Sequence, residues 1–418
     1  MSCSSPQRIR RTRSVLIGFL CVVSVLWPST GAQAVPSGVE GRGGEFATAQ
    51  EPPSPQAVSA ASLQTAIDSL GRLDYDTRTN ASRLIRRTPA NQAVPALIKA
   101  VRTHEDGYVK YRALVLLTGF NDPDTALVMH EARASSNDRL RTVAYEYFEH
   151  HPDRAMIPEM LASLDTEDGE FVRPSLVRAL AALGSDARVS AALVRETGRG
   201  EDFFRSAVIE ALGDYKAVYA IDALAAVTKQ DGPLLDDSVL ALGKIGDQRA
   251  LEMLAALQRT ASPALQPIVA ASLCLVGMQC IEEEKYLIDL LKTAGTNGQP
   301  QENVRADVTG LAALALAGRS SAAEALFDAG VHAPDSVRAP IALAVATIAL
   351  RNTPVAFGLL EKASPKDAIA LLAEGFDMLE EDFEKEQFFA LARKTYWNAA
   401  EGSATRALMQ TLIGELDF

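Results

Sequence analysis

From Ser62 onward the apolar residues fall at three- and four-residue intervals, the spacing that lines one face of an α-helix. No stretch keeps up the two-residue alternation of a strand, so the pattern predicts helices throughout. The helices repeat. Around Arg205 stand an acid three residues before (Asp202), an apolar residue just before (Phe204) and another three residues after (Val208). The same position recurs as Arg78, Lys110, Arg141, Arg173, Leu235, Gln266, Arg305 and Arg338, at intervals of 30 to 39 residues and about 32 on average. Weaker copies follow at Asp367/Ala370 and Ser403/Arg406, and the one long interval contains the Gly- and Asn-bearing insert Thr293–Gln301. Each unit's first half is a second amphipathic stretch, such as Ala93–Ile98 or Ala250–Leu254. Two helices per unit cannot bury their apolar faces alone. Stacked units can, and the result is a solenoid.

The repeated polar residues have mechanical uses. An acid at a helix start suits the positive end of the helix dipole, and an arginine three residues later shares its face. Pro174, Pro267 and Pro340 are expected in first turns, where a missing N–H costs least. Gly184, Gly246 and Gly277 are expected to close their helices.

The first residues carry a different pattern. Arg8, Arg10, Arg11 and Arg13 precede an apolar run, Ser14–Trp27, and then Pro28 and an Ala32-Gln33-Ala34 cleavage sequence. The run falls short of the roughly 20 residues that span a bilayer. Together these predict a secretory signal peptide at 1–34, cut after Ala34, with an uncleaved anchor as the alternative. Residues 35–60, rich in Gly, Pro, Ser and Gln, are expected to be a flexible linker, and 61–418 the helical array. The expected location is periplasmic or extracellular, with no membrane insertion after cleavage.

Composition narrows the function. The 418-residue chain carries 41 basic and 53 acidic side chains, a net charge of −12, which becomes −16 once the four signal arginines are lost. Nucleic acid repels such a chain and is not an expected partner. Cys274 and Cys280 are the two cysteines left after the signal, and in an oxidising compartment they are expected to pair.

Ala211-Leu212-Gly213-Asp214 and Leu242-Gly243-Lys244-Ile245-Gly246-Asp247-Gln248-Arg249-Ala250 resemble the HEAT family in its short, phycobilisome-lyase-type form. The resemblance extends over Leu63–Asp417 and implies an all-α, right-handed α-solenoid of about ten two-helix HEAT-like repeats. It says little about function. Iron-binding relatives use several His-Glu pairs. Here His104-Glu105 and His130-Glu131 stand without a second matched set, and His150-His151 is expected to cap a helix end. No phosphate loop, nucleophile elbow or Cys-x-x-Cys occurs. No catalytic residue, metal site or cofactor is expected. The array does lose its arginine at Leu235 and Gln266, where Asp231, Asp236 and Asp237 cluster, a candidate docking patch for a basic protein partner. The expected function is that of an exported, non-catalytic scaffold. The alternative is a lyase-like or metal-dependent member of the same family that works through its inner face.

Overall fold

The computed structural model describes residues 51–230, 232–294, 301–362, 365–379, 381–416 and 418. The expected signal with its Ala34 cleavage point and the docking candidate Asp231 lie outside these residues.

Among the described residues there are twenty-two α-helices and no strand. In chain order they are α1 (Ala60–Ser69), α2 (Tyr75–Arg87), α3 (Ala90–Thr103), α4 (Gly107–Thr118), α5 (Thr125–Ala132), α6 (Asp138–His150), α7 (Ile157–Thr166) and α8 (Val172–Ala181). Then come α9 (Ala187–Glu196), α10 (Asp202–Asp214), α11 (Ile221–Val227), α12 (Leu235–Ile245), α13 (Leu251–Thr260), α14 (Gln266–Val276), α15 (Cys280–Thr293) and α16 (Gln301–Leu316). The chain finishes with α17 (Ser320–His332), α18 (Asp335–Arg351), α19 (Thr353–Lys362), α20 (Pro365–Met378), α21 (Asp382–Asn398) and α22 (Ala404–Glu415). The nine register positions of the repeat all fall in the even-numbered helices α2 to α18. These helices stack on one another as an inner row, while the odd-numbered helices back them outside. The chain is an α-solenoid.

In most units the register residue turns out to be a backbone tether. Arg141 donates through Nη1 to the carbonyl of Ser135 and through Nη2 to Asp138, and Arg205 donates to the carbonyl of Thr197 and to Asp202. Arg338 donates to the carbonyl of Gly330. Each side chain thus satisfies carbonyls just past or at the end of the preceding outer helix, which have no partner within it. Gln266, which breaks the arginine pattern, does the same with its amide, reaching Gln258 and Ala261. Asp138, Asp202 and Asp335 are each the first residue of their helix, and the cap before α6 is Asn137, whose side chain accepts from the Arg139 N–H. Gly246 and Gly277 are left-handed helix ends, at φ 73° and 95°. Gly184 is not left-handed; it lies where a Cβ would strike the Tyr219 hydroxyl. Pro340 sits a turn further into its helix than expected, because α18 begins at Asp335.

Small residues set the curvature. A Cβ on Gly213 would fall 2.8 Å from the Ala241 Cα, and one on Gly243 would fall 2.5 Å from the Ser272 Cα. One on Gly310 would meet the Ala271 methyl at 3.0 Å. Inner helices therefore approach almost backbone to backbone, and the array bends toward them.

The bend carries the two ends together. α21 leaves the alternation and lies across the inner row, against α18 on one side and α4 and α6 on the other. Arg86 of α2 forms a double hydrogen bond with Glu386, Gln387 donates to the Thr118 carbonyl, and Tyr111 donates to Asp382. Gly119 leaves room for this seam, since a Cβ there would lie 2.7 Å from Glu386 Oε1. Part of the expected linker is docked here too. Glu51, 1% exposed, pairs with Arg87 and Arg393, and its carbonyl accepts from the Tyr396 hydroxyl. Composition alone assigned this stretch to a linker; besides the Glu51 carboxylate, Trp397 holds it by donating to the Pro52 carbonyl, and the Gln56 N–H donates to the Arg87 carbonyl.

The Cys274 and Cys280 sulfurs lie at bonding distance, with Cα atoms 4.0 Å apart around the Gly277 turn. No described helix is long and apolar enough to cross a membrane.

Candidate functional site

Closing the ring turns the inner row into the wall of a chamber. Its cavities, about 590 and 360 Å³, are lined by Glu146, Glu149 and His150 of α6, Arg178 of α8, Glu210 and Asp214 of α10, and Asp237 and Lys244 of α12. Arg351 of α18 and Glu381 and Glu384 of the closing helix complete the charged lining. Seven carboxylates thus face three cations, and Asp138, Arg139 and Asp382 at one end do not reverse the balance.

The cations are shared. Glu149 Oε1 accepts from Arg178 Nε at 2.9 Å, from the Tyr215 hydroxyl at 2.9 Å and from Arg351 at 3.4 Å. Arg178 also reaches Asp214 at 3.0 Å, where Lys244 donates at 2.7 Å. Arg351 stands 3.8 Å from Glu381 and 3.9 Å from Glu384. Glu210 has no salt bridge among the described residues. Burial opposes ionisation of Glu149, yet Arg178 and Arg351 hold its pKa below the usual range. Glu146 goes the other way: burial, and then the neighbouring Glu384, Glu381 and Glu149, raise its pKa well above the ordinary value. Burial raises Glu381 as well, against the pull of Arg351.

The structure divides the predicted patch. Asp237 is on the chamber wall, where it accepts a 2.6 Å bond from the Ser206 hydroxyl, and burial pushes its pKa up to about 7. Asp236 is half-buried on α12 and not in the chamber lining, and burial raises its pKa too. Glu146 and Glu149 of α6, Glu210 of α10 and Glu384 of α21 were not singled out from sequence. Glu146, Glu149 and His150 are spaced to share a helix face, and that signal was available. Nothing in the sequence tied them to Glu384. The histidines differ in role. His151 caps, bonding the Tyr147 carbonyl and stacking on the Tyr147 ring at 4.1 Å, whereas His150 turns to Glu384. His104 and His130 face Asp68 and Asp153 singly.

Stacked two-helix units with this register make an α-solenoid, here bent until its ends meet. The sequence matches no protein-family model and no curated protein. Among solved structures it is similar to YibA of Escherichia coli, at 15% identity over 52% of this chain and 81% of that one, with a TM-score of 0.39. It is also similar to Kap95p with RanGDP (11% identity, 85% of this chain and 63% of that one, TM-score 0.40) and to Kap121p bound to Nup53p (12%, 85% and 45%, TM-score 0.30). The chain therefore spans less than two thirds of either Kap protein's length.

Proposed function

We propose that the chain is an exported, non-catalytic scaffold that takes a basic segment of a protein partner into its inner chamber. The observation that carries this is the surplus of carboxyl groups over cations on the inner helices; burial raises the pKa of Glu146, Glu381 and Asp237, and a basic guest would draw them back to the ionised form. A wall of one sign attracts and orients an oppositely charged segment and repels acidic ones. Export rests on the Arg8–Ala34 pattern. Ion pairs to Glu149 and Asp214 keep the chamber's shape, while Glu210 and Asp237 are left to meet a guest.

A labelled Lys/Arg-rich peptide tests this by fluorescence anisotropy. Binding is expected to weaken as salt rises and to drop in the Glu210→Gln/Asp237→Asn double variant, with an acidic peptide of equal length not binding. Equal binding of the acidic peptide, or an unchanged double variant, rejects the reading. N-terminal sequencing of the protein recovered from the cell envelope and medium tests export; a start at Val35 supports it and an intact Met1 rejects cleavage.

A further inference from the structure

Helical spacing puts Glu146, Glu149 and His150, at i, i+3 and i+4, on one face of α6. Glu381 and Glu384, three apart at the start of α21, meet them from the other end of the chain. Two carboxylates and an imidazole then converge: one ligand atom each from Glu149, His150 and Glu384 lie within 4.8 Å of one another. We infer that Glu149, His150 and Glu384 bind a first-row divalent transition-metal ion of the Zn²⁺ class, which fastens the closing helix α21 to the third repeat.

Several independent features point to a cation rather than a self-satisfied polar cluster. The His150 Nε2 to Glu384 Oε1 distance is 3.4 Å. Two ligands on a tetrahedral ion with bonds of about 2.0–2.1 Å stand roughly that far apart. Glu384 is 5% exposed, and its second oxygen, Oε2, is buried without a hydrogen-bond partner. Leaving such a group unpaired is costly, and a bound ion would satisfy it. Glu149 and Glu384 share Arg351, and Arg178, the other partner of Glu149, also serves Asp214. A dication between Glu149 and Glu384 would give these two carboxylates a counter-charge of their own.

The donor set selects the metal. Imidazole favours Zn²⁺, Fe²⁺ or Ni²⁺ over Mg²⁺ and Ca²⁺, which prefer oxygen throughout. The His150 ring is held in place by stacking on Phe383, with centroids 5.1 Å apart. Its side chain is 38% exposed, which provides a path of entry and room for water on the ion. Glu149 and His150 are on one helix and Glu384 on another 234 residues away, so the ion would act as a clasp.

The full chain, stripped with EDTA and dialysed, is titrated with Zn²⁺ by calorimetry. One ion per chain is expected, with a rise in Tm and no comparable effect of Mg²⁺ or Ca²⁺. His150→Ala and Glu384→Gln should each weaken Zn²⁺ binding by about 100-fold or more, while His151→Ala, whose ring faces the Tyr147 carbonyl, leaves it unchanged. Co²⁺ added to the unmutated chain should give visible bands of a mixed nitrogen–oxygen site, which keeps the test independent of whether the variants fold. Absence of saturable one-to-one binding, or equal affinity in folded His150→Ala and Glu384→Gln, overturns the inference. The peptide assay is run on the metal-free chain, so failure of one reading is separable from failure of the other.

Discussion

Arg86 and Glu386, 300 positions apart, form a two-pronged ion pair at 2.6–3.0 Å with side chains 8% and 3% exposed. It joins the first repeat to the closing helix. Removing one partner of a buried pair strands the other charge, which costs about 3–5 kcal/mol. Arg86→Ala should lose that much in urea denaturation, whereas Arg86→Met/Glu386→Leu should lose far less. A single variant as stable as wild type would mean the seam contributes little.

The close approach of the inner helices is tested at two glycines. A methyl on Gly243 must push Ser272 away and should cost about 1–3 kcal/mol. Gly358, inside α19, has nothing within 4 Å of its Cβ position, so Gly358→Ala should gain up to about 1 kcal/mol from helix propensity. Equal effects of the two changes would remove the packing argument for curvature.

Asp307 is 2% exposed, its Oδ1 has no hydrogen-bond partner, and burial pushes its pKa up to about 8. The folded state therefore holds this proton more tightly than the unfolded chain does. Its effect on stability is worst at high pH: stability falls as pH rises from about 4 to about 8 and is level beyond. Asp307→Asn should gain on wild type across that window, most at pH 9 and least at pH 4. Denaturation curves at the two pH values decide it; a pH-independent difference contradicts it.

Cys274 and Cys280 should be found paired in protein recovered from an oxidising compartment. Closing so short a loop contributes about 2 kcal/mol on the chain-entropy model. Intact mass after alkylation in denaturant, with and without reductant, reads the state directly. Two alkylated thiols without reductant exclude the bridge.

Gln266 gives a smaller test. Its amide reaches two backbone carbonyls, so Gln266→Ala should cost about 1–2 kcal/mol. No loss would mean those carbonyls find water instead.

The repeat was legible because its determinants are local. Helical spacing, an acid at the helix start and an arginine three residues on all act within one or two turns, and all nine register positions fall in successive inner helices. The purpose of the register residue was less legible, because the carbonyls it reaches belong to the preceding helix. Gln266 therefore looked like a defect when it is a replacement donor. The chamber was hidden for another reason. Glu149 meets Arg351 across 202 residues and His150 meets Glu384 across 234, and no period predicts that an array will bend far enough for such pairs to form. Asp237 drew notice for missing positive charge nearby, and the structure places it on the inner wall with the other carboxylates.

The seam at α21 also fixes a number. In an open solenoid each repeat touches only its neighbours, so duplicating or deleting one changes length and little else. Here an added 32-residue unit would rotate Glu386 and Glu384 away from Arg86 and His150, and a deleted one would overshoot them. The copy number of the repeat is thus under the same geometric constraint as a bond angle. Insertions are accommodated between helices, where length can change without altering how many inner helices complete the circuit.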